Sequence, residues 1–328
     1  MTERAVYMAN LGGTAGVSAL VPDMGDKGFF ICLNVTLLHL QEDRTMIERA
    51  IKKISLGQSL SRQDTYEAVS EIVSGQASEV QIAAFLVGLR VKGETVPEIA
   101  GGVRALLASA NRIQSNRAIC LDIVGTGGDC TGTFNISSAA ALVAAAAGVC
   151  VAKHGNRSVS SRCGSADVFE ALGIELGLSP EEAGRCLDEN GFAFLYAPVY
   201  HPAMRHAAPV RRQLGIRSLF NLVGPLASPA GANAMLVGVC DTKLLSVVAE
   251  TLNDLGVDRA LVVCGRDGAD EISLSGPTDY CQLDAGRFAR GVITPEDYGL
   301  TVSPLDSIQG GSPSANADLI VQIGRAHV

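Results

Sequence analysis

The run Asp122-Ile123-Val124-Gly125-Thr126-Gly127-Gly128-Asp129, continued by Cys130-Thr131-Gly132-Thr133-Phe134-Asn135-Ile136-Ser137-Ser138, constrains the fold more than any other part of this chain. A short apolar segment gives way to a loop dense in glycine and small hydroxyl residues, then to an alanine-rich run ending at Gly148. That order predicts a strand, an anion-cradling loop and a helix. Glycine lets the backbone approach an anion closely, and the N–H groups and dipole of a helix start favour negative charge. The same residues also suit a tight turn in any α/β protein. A second loop follows at Lys153-His154-Gly155-Asn156-Arg157-Ser158-Val159-Ser160-Ser161. Two anion loops with a lysine between them point to a ligand carrying more than one phosphate group.

Hydrophobic periodicity places these loops in a larger pattern. From Met46 to about Arg112 the signal is helical, with Asp64 ahead of one helix, the capping-box sequence Ser78-Glu79-Val80-Gln81 ahead of another, and Pro97 at the front of a third. After Asn116 apolar runs at 119–124, 148–152, 234–239 and 260–264 alternate with helical stretches at 137–147, 164–173, 180–190 and 243–255. Strands alternating with helices predict a mainly parallel sheet covered on both faces, with ligands beyond the carboxyl ends of the strands. The expected organisation is a leader over 1–45, a helical domain over 46–115 on which 200–215 returns to pack, and an α/β domain over 116–328. The leader lacks sustained periodicity and is expected to be poorly ordered, with the working protein beginning near Met46; the alternative is an added element packed on the domain.

Composition narrows the partners. A chain of 328 residues, 47% hydrophobic and 18% charged, buries a substantial core and lacks the signature of disorder. A net charge of −8 makes a nucleic-acid surface a poor expectation, and no apolar segment reaches the length of a bilayer span. The nine cysteines include no CxxC pair and no zinc spacing, which fits a reduced, cytoplasmic protein without disulfides.

Thr133, Asn135 and Ser137 alternate at the mouth of the predicted helix, where their side chains can reach phosphate oxygens; Ser137 also suits a plain N-cap. Lys153 supplies a point charge, and Asn156 can donate and accept. His154 can be read as a general base, although hydrogen bonding or packing is the preferred reading. Ser165 opens a further helix. Asp267-Gly268-Ala269-Asp270-Glu271 follows an apolar run, and adjacent carboxylates there suit Mg²⁺ held jointly with substrate phosphates. An exposed acidic turn is the other reading of that sequence. Arg211 and its neighbour Arg212 can bind a carboxylate or lie on a solvated face.

Together, GTGGD…TFNISS, KHGNRSVSSRCGSADVFEALG, HPAMRHAAPVRRQLGIRSLFNLVGPLASP and DGADEISLSG resemble the anthranilate phosphoribosyltransferase family, in that order, from about Met46 to about Gly310. The resemblance implies a small N-terminal helical bundle plus a large, mainly parallel α/β domain of the nucleoside phosphorylase/phosphoribosyltransferase type, and a homodimer formed through the helical part. It implies transfer of phosphoribose from phosphoribosyl pyrophosphate (PRPP) to the amine of anthranilate in tryptophan biosynthesis, with Mg²⁺. Carried over by motif, Gly125, Gly128, Asp129, Thr133, Asn135, Ser137, Ser138, Lys153, His154, Gly155, Asn156 and Ser165 would bind PRPP. Gly125, Asn156 and Arg211 would contact anthranilate, and Ser137, Asp270 and Glu271 would serve the metal.

Two departures accompany the resemblance. The leader has no counterpart in the family pattern. The closing segment is read as breaking off after about Gly311 with no final helix, leaving a truncated α/β domain and a sheet face uncovered, so that low stability or aggregation is expected. The competing readings are a pyrimidine nucleoside phosphorylase, a non-catalytic nucleic-acid-binding relative of the same fold, and an inactive truncated fragment.

Overall fold

The computed structural model describes residues 45–129, 131–158 and 162–326. The leader expected over 1–45 falls outside these residues, Thr45 excepted. Four helices come first: α1 (Met46–Ser55), α2 (Arg62–Val73), α3 (Glu79–Lys92) and α4 (Val96–Ala108). The capping box of α3 is formed as written, with Gln81 N donating to Ser78 Oγ at 3.3 Å and Ser78 N to Gln81 Oε1 at 2.9 Å. The start expected at Asp64 is corrected: Ser61 caps α2, and Asp64 is the returning acid of its box, accepting from Ser61 N at 3.2 Å. An acidic residue in the first turn is favoured by the same dipole that favours a cap, so the two positions look alike in sequence. At α4, Glu98 is fully buried and accepts from Thr95 N and Leu60 N, both at 2.8 Å, and pairs with Lys92 at 2.9 Å. Its charge therefore has the partners that burial demands.

The α/β part follows as β1 (Leu121–Gly125), α5 (Ile136–Ala146), β2 (Val151–Gly155), α6 (Ser165–Ala171), α7 (Pro180–Asn190) and β3 (Phe192–Tyr196). The chain continues through α8 (Ala197–Tyr200), a 3₁₀ turn (Pro202–His206), α9 (Ala208–Leu214) and α10 (Leu219–Leu226). It then adds β4 (Ala234–Gly238), α11 (Leu244–Asp254), β5 (Arg259–Gly265), β6 (Thr278–Asp284), β7 (Arg287–Ile293) and α12 (Pro313–Ala326). The strands form one seven-stranded sheet in the order β3-β2-β1-β4-β5-β6-β7. Strands β1 to β5 are parallel, and β6 and β7 add an antiparallel edge. Consecutive strands leave β1 on opposite sides, so the carboxyl end of β1 is the switch point at which a crevice opens.

Helices α9 and α10 return to the bundle, α9 against α3 and α10 against α4. One apolar cluster runs from Ile47, Phe85 and Leu89 through Leu219 and Val223 to Val237 and Val248. The bundle and one face of the sheet thus share a core, and each fully buried Leu, Ile or Phe contributes about 1.5–3 kcal/mol to holding them together.

The closing stretch differs from expectation. Residues 313–326 form α12, which corrects the expectation that this stretch holds no helix. Ala317, Ile320 and Ile323 recur every three residues and pack with Ala139, Cys163 and Val168. The polar front of this helix, Ser312 to Asn316, hid that stripe in the sequence. Asn316 is itself buried and donates to Asn135 Oδ1 at 2.9 Å.

Candidate active site

Gly125 ends β1, and the loop after it bends through Gly127 and Gly128 at φ +66° and +76°. The Asp270 loop presses against this turn. A Cβ on Gly125 would lie 2.5 Å from Asp270 Oδ2, and one on Gly238 of β4 would lie 1.6 Å from Asp270 O. Only glycine fits at either strand end. Gly127 N donates to Asp270 Oδ2 at 2.7 Å, and Ser137 Oγ donates to Glu271 Oε1 at 2.6 Å. The acidic pair therefore meets the first loop twice, once through the backbone and once through the first turn of α5.

Ser137 is inside the helix; Asn135 takes the N-cap position without a side-chain cap bond. The Asn135 amide instead donates to Cys163 O at 3.0 Å, joining the first loop to the end of the second. Ser138 is buried behind the turn, while the carboxylate of Asp129 accepts from the Thr131 hydroxyl. Thr133 pairs with Gln309 in an isolated antiparallel bridge, and Phe134 N donates to Ile308 O at 3.0 Å. Part of the polar array at the helix mouth is thus engaged with the segment that precedes α12.

Lys153, on β2, is 4% exposed and donates to His154 O at 3.2 Å. Burial pushes its pKa down, opposed by the charges of Asp122, Glu271 and Asp270. The His154 ring is buried beside His201, with centroids 5.2 Å apart, and burial holds it neutral, far below the usual imidazole range. That environment agrees with the packing reading of His154. A Cβ on Gly155 would strike Ser165 Oγ at 2.1 Å, and Ser165 Oγ donates to Asn156 O at 3.2 Å. Asn156 is exposed at the loop mouth, its Oδ1 accepting from Arg157 N at 2.8 Å. Arg157 is turned away into ion pairs with Asp167 and Glu170.

Burial raises the Glu271 carboxyl to about 7, with Asp270 adding to the shift, and burial raises Asp270, with Asp129 adding. Asp267, by contrast, accepts from the hydroxyls of Ser273 and Ser275 and shapes the turn. Two desolvated carboxylates and a hydroxyl form a hard-oxygen donor set that a divalent cation would relieve. Among the described residues no group of three or more His, Cys, Asp or Glu is arranged to hold a metal.

Arg211 projects from α9, its guanidinium 5.7 Å from the Phe220 ring. Burial lowers its pKa, and among the described residues no carboxylate pairs with it. Among the described residues it makes no hydrogen bond to either loop.

The sequence reading missed Arg217. Its guanidinium donates to Gly127 O, to Thr126 Oγ1 at 3.1 Å and to Cys240 Sγ at 2.8 Å. It also backs onto Gly128, whose added Cβ would lie 2.9 Å from Nη1. Only its nearness in sequence to Arg211 and Arg212 hinted at it.

Comparison with known proteins places the chain in two stages. Residues 48–110 match the helical bundle domain of a glycosyl transferase family, and residues 117–327 match the a/b domain of the glycosyl transferases. Fold and crevice thus define a two-domain glycosyl transferase. The anthranilate phosphoribosyltransferase of Symbiobacterium thermophilum is 50% identical over 267 residues, covering 81% of this chain and 78% of the relative. That of Moorella thermoacetica is 51% identical, covering 83% and 80%. Among solved structures, the Thermus thermophilus anthranilate phosphoribosyltransferase aligns with a TM-score of 0.78 at 48% identity, covering 83% of this chain and 80% of that one. The Saccharomyces cerevisiae enzyme in complex with PRPP and Mg aligns with a TM-score of 0.77 at 28% identity, covering 84% and 80%. The chain belongs to the anthranilate phosphoribosyltransferase family. These relatives do not favour a nucleoside phosphorylase, a nucleic-acid-binding protein or an inactive fragment, and the a/b match includes the closing helix α12.

Proposed function

We infer that this chain transfers phosphoribose from PRPP to the amine of anthranilate with release of pyrophosphate, in tryptophan biosynthesis. The observation that carries the reading is the convergence of Asp270 and Glu271 on the first glycine loop through Gly127 N and Ser137 Oγ. That arrangement sets an anion-binding backbone beside two cation-seeking carboxylates.

In this reading Gly125, Gly128, Asp129, Thr133, Asn135, Ser137 and Ser138 line the PRPP site from the first loop. Lys153, His154, Gly155, Asn156 and Ser165 line it from the second, His154 through its backbone. Ser137, Asp270 and Glu271 would hold Mg²⁺, which when bound would neutralise charge on the pyrophosphate. Arg211 receives the anthranilate carboxylate, and Asn156 and Gly125 border the amine.

The C1–O bond to pyrophosphate breaks and the C1–N bond forms, with the electron pair passing to the leaving group and the amine proton to solvent. An aromatic amine is weakly basic, so its lone pair is free at neutral pH and no strong general base is required. The chain's task is to hold the amine against C1 and to stabilise the departing charge with preorganised N–H and ammonium groups. The buried, neutral His154 is consistent with that division. A homodimer formed through the helical domain and a cytoplasmic location belong to the same reading.

The test is PRPP-dependent loss of anthranilate fluorescence in the presence and absence of Mg²⁺. Loss that needs both PRPP and the metal supports the assignment; a folded chain that consumes no anthranilate refutes it.

A further inference from the structure

The first loop is held by a segment that belongs to neither glycine loop. Residues 303–310 lie between β7 and α12, and they touch both the acidic loop and the first loop. Ser303 N donates to Leu274 O, three residues past Glu271, at 2.9 Å. Leu305 and Ile308 line one small cavity with Phe134 and Ile136 on one side and Ile272 and Leu274 on the other. Phe134 N donates to Ile308 O at 3.0 Å and Gly310 N to Gly132 O at 2.8 Å, the two bonds that frame the bridge between Thr133 and Gln309. The Gln309 amide reaches further and donates to Thr131 O at 3.1 Å. Gly311 N donates to Asn316 Oδ1 at 2.7 Å, which fixes the segment to α12.

These bonds decide which groups of the loop remain free. The carbonyls of Thr131 and Gly132 both accept from the 309–310 segment. In a trans peptide the N–H points opposite the C=O, so the N–H groups of Gly132 and Thr133 are turned away from that segment. Among the described residues neither N–H has a hydrogen-bond partner. Gly132 turns the chain at φ +69°, where glycine carries no steric cost. Two successive N–H groups left free on one side of such a turn are the donors of an anion-binding nest. The packing against the segment is close. A Cβ on Gly310 would lie 2.7 Å from Thr133 O, and one on Gly132 would lie 3.0 Å from Gln309 Oε1.

We propose that Gln309 is a positioning residue for PRPP: with Gly310 it holds the carbonyls of Thr131 and Gly132, so that the N–H groups of Gly132 and Thr133 stay aimed at a substrate phosphate. The proposal rests on the reading that the first loop binds PRPP. Gln309 itself touches no reacting atom and acts through the loop backbone. Donors held in place before the ligand arrives reduce the ordering that binding must supply. A donor that meets the phosphate equally before and during transfer contributes uniform binding, so its loss shows in the affinity for PRPP and leaves kcat alone.

Calorimetric titration of the full chain with PRPP and Mg²⁺, paired with steady-state rates and amide hydrogen exchange, tests this. The exposed change Gln309→Ala is expected to weaken PRPP binding about fivefold, the scale of one net hydrogen bond. Its kcat and its KM for anthranilate at saturating PRPP are expected to change by less than about twofold. Gln309→Glu sets an acceptor against Thr131 O and is expected to weaken PRPP by more than about tenfold. Gly310→Ala pushes the segment off Thr133 and is expected to show the same selective loss. PRPP is expected to slow amide exchange across 131–134 in the wild type and to slow it less in Gln309→Ala. Unchanged PRPP binding in Gln309→Ala overturns the proposal. Equal losses for both substrates, or a lower melting temperature without a selective loss for PRPP, leave the segment a structural role and also overturn it. A folded wild-type chain that binds no PRPP overturns the reading of the site, and the proposal with it.

Discussion

The Ser137 hydroxyl donates to Glu271 Oε1 at 2.6 Å, joining two residues 134 positions apart in the chain. Through this bond the first turn of α5 and the acidic loop after β5 become one site. If Glu271 serves a metal there, its loss should fall on turnover. Glu271→Ala is expected to lower kcat about 100-fold or more, the scale of losing a charge-stabilising group. His154→Ala is expected to keep kcat within about tenfold and to lower the melting temperature instead, because a buried ring is removed. Comparable kcat losses in the two variants would sink this division.

The same carboxyl sets a pH dependence. Glu271 is raised from 4.5 to about 7, so the folded chain holds this proton more tightly than the unfolded one. Between those two values the unfolded state binds fewer protons, and this group makes stability fall as pH rises. Mg²⁺ competes with the proton and should reverse the effect. Thermal melts are expected to show a larger Mg²⁺ stabilisation near pH 8 than near pH 5.5, with the difference lost in Glu271→Gln. An equal Mg²⁺ shift at both pH values removes Glu271 from the metal set.

Arg217 offers a third check. It bonds to Gly127 O and Thr126 Oγ1, which makes it the clamp on the first loop. Charge-assisted bonds of this kind contribute about 1.5–3 kcal/mol, so Arg217→Met should lower kcat/KM for PRPP by one to two orders of magnitude. Arg211→Met, by comparison, should act on anthranilate, raising its KM with little change for PRPP. The two arginines are separated by measuring both KM values for each variant.

Asn316 tests the closing helix. It bonds to Asn135 Oδ1 at 2.9 Å and accepts from Gly311 N at 2.7 Å while almost wholly buried. Asn316→Ala leaves those groups unpaired, a loss of about 1–3 kcal/mol. A fall of several degrees in the melting temperature is expected, together with a higher KM for PRPP because Asn135 stands at the loop mouth. An unchanged melt would mean that α12 contributes little to holding the loop.

Much of this site was legible before any coordinates. The strand, glycine loop and helix from Asp122 to Ser138, the second loop and the Asp270–Glu271 pair all rest on local chemistry, in which neighbours in sequence are neighbours in space. The edge hairpin of β6 and β7 was not read. Strand β7 is largely exposed and carries Arg287 and Arg290 among its residues, so it leaves no apolar run. Strand β3 is five residues long and follows directly on α7, too short to separate from the helical signal. The final helix was missed because its stripe of Ala317, Ile320 and Ile323 gains meaning only against Ala139 and Val168.

By itself the sequence determined the class of fold, the order of its parts and the chemistry offered at each loop, because propensity, capping and glycine geometry act over a few residues. The tertiary structure alone decided which of those groups meet. It placed Arg217 on Gly127, Asp122 against the backbone of His154 and Asn316 on Asn135, and it turned His154 inward beside His201. Contacts between residues 32 to 181 positions apart depend on how the sheet orders its strands and how one core joins bundle to sheet. No local pattern encodes that order; it follows from burying every apolar face at once.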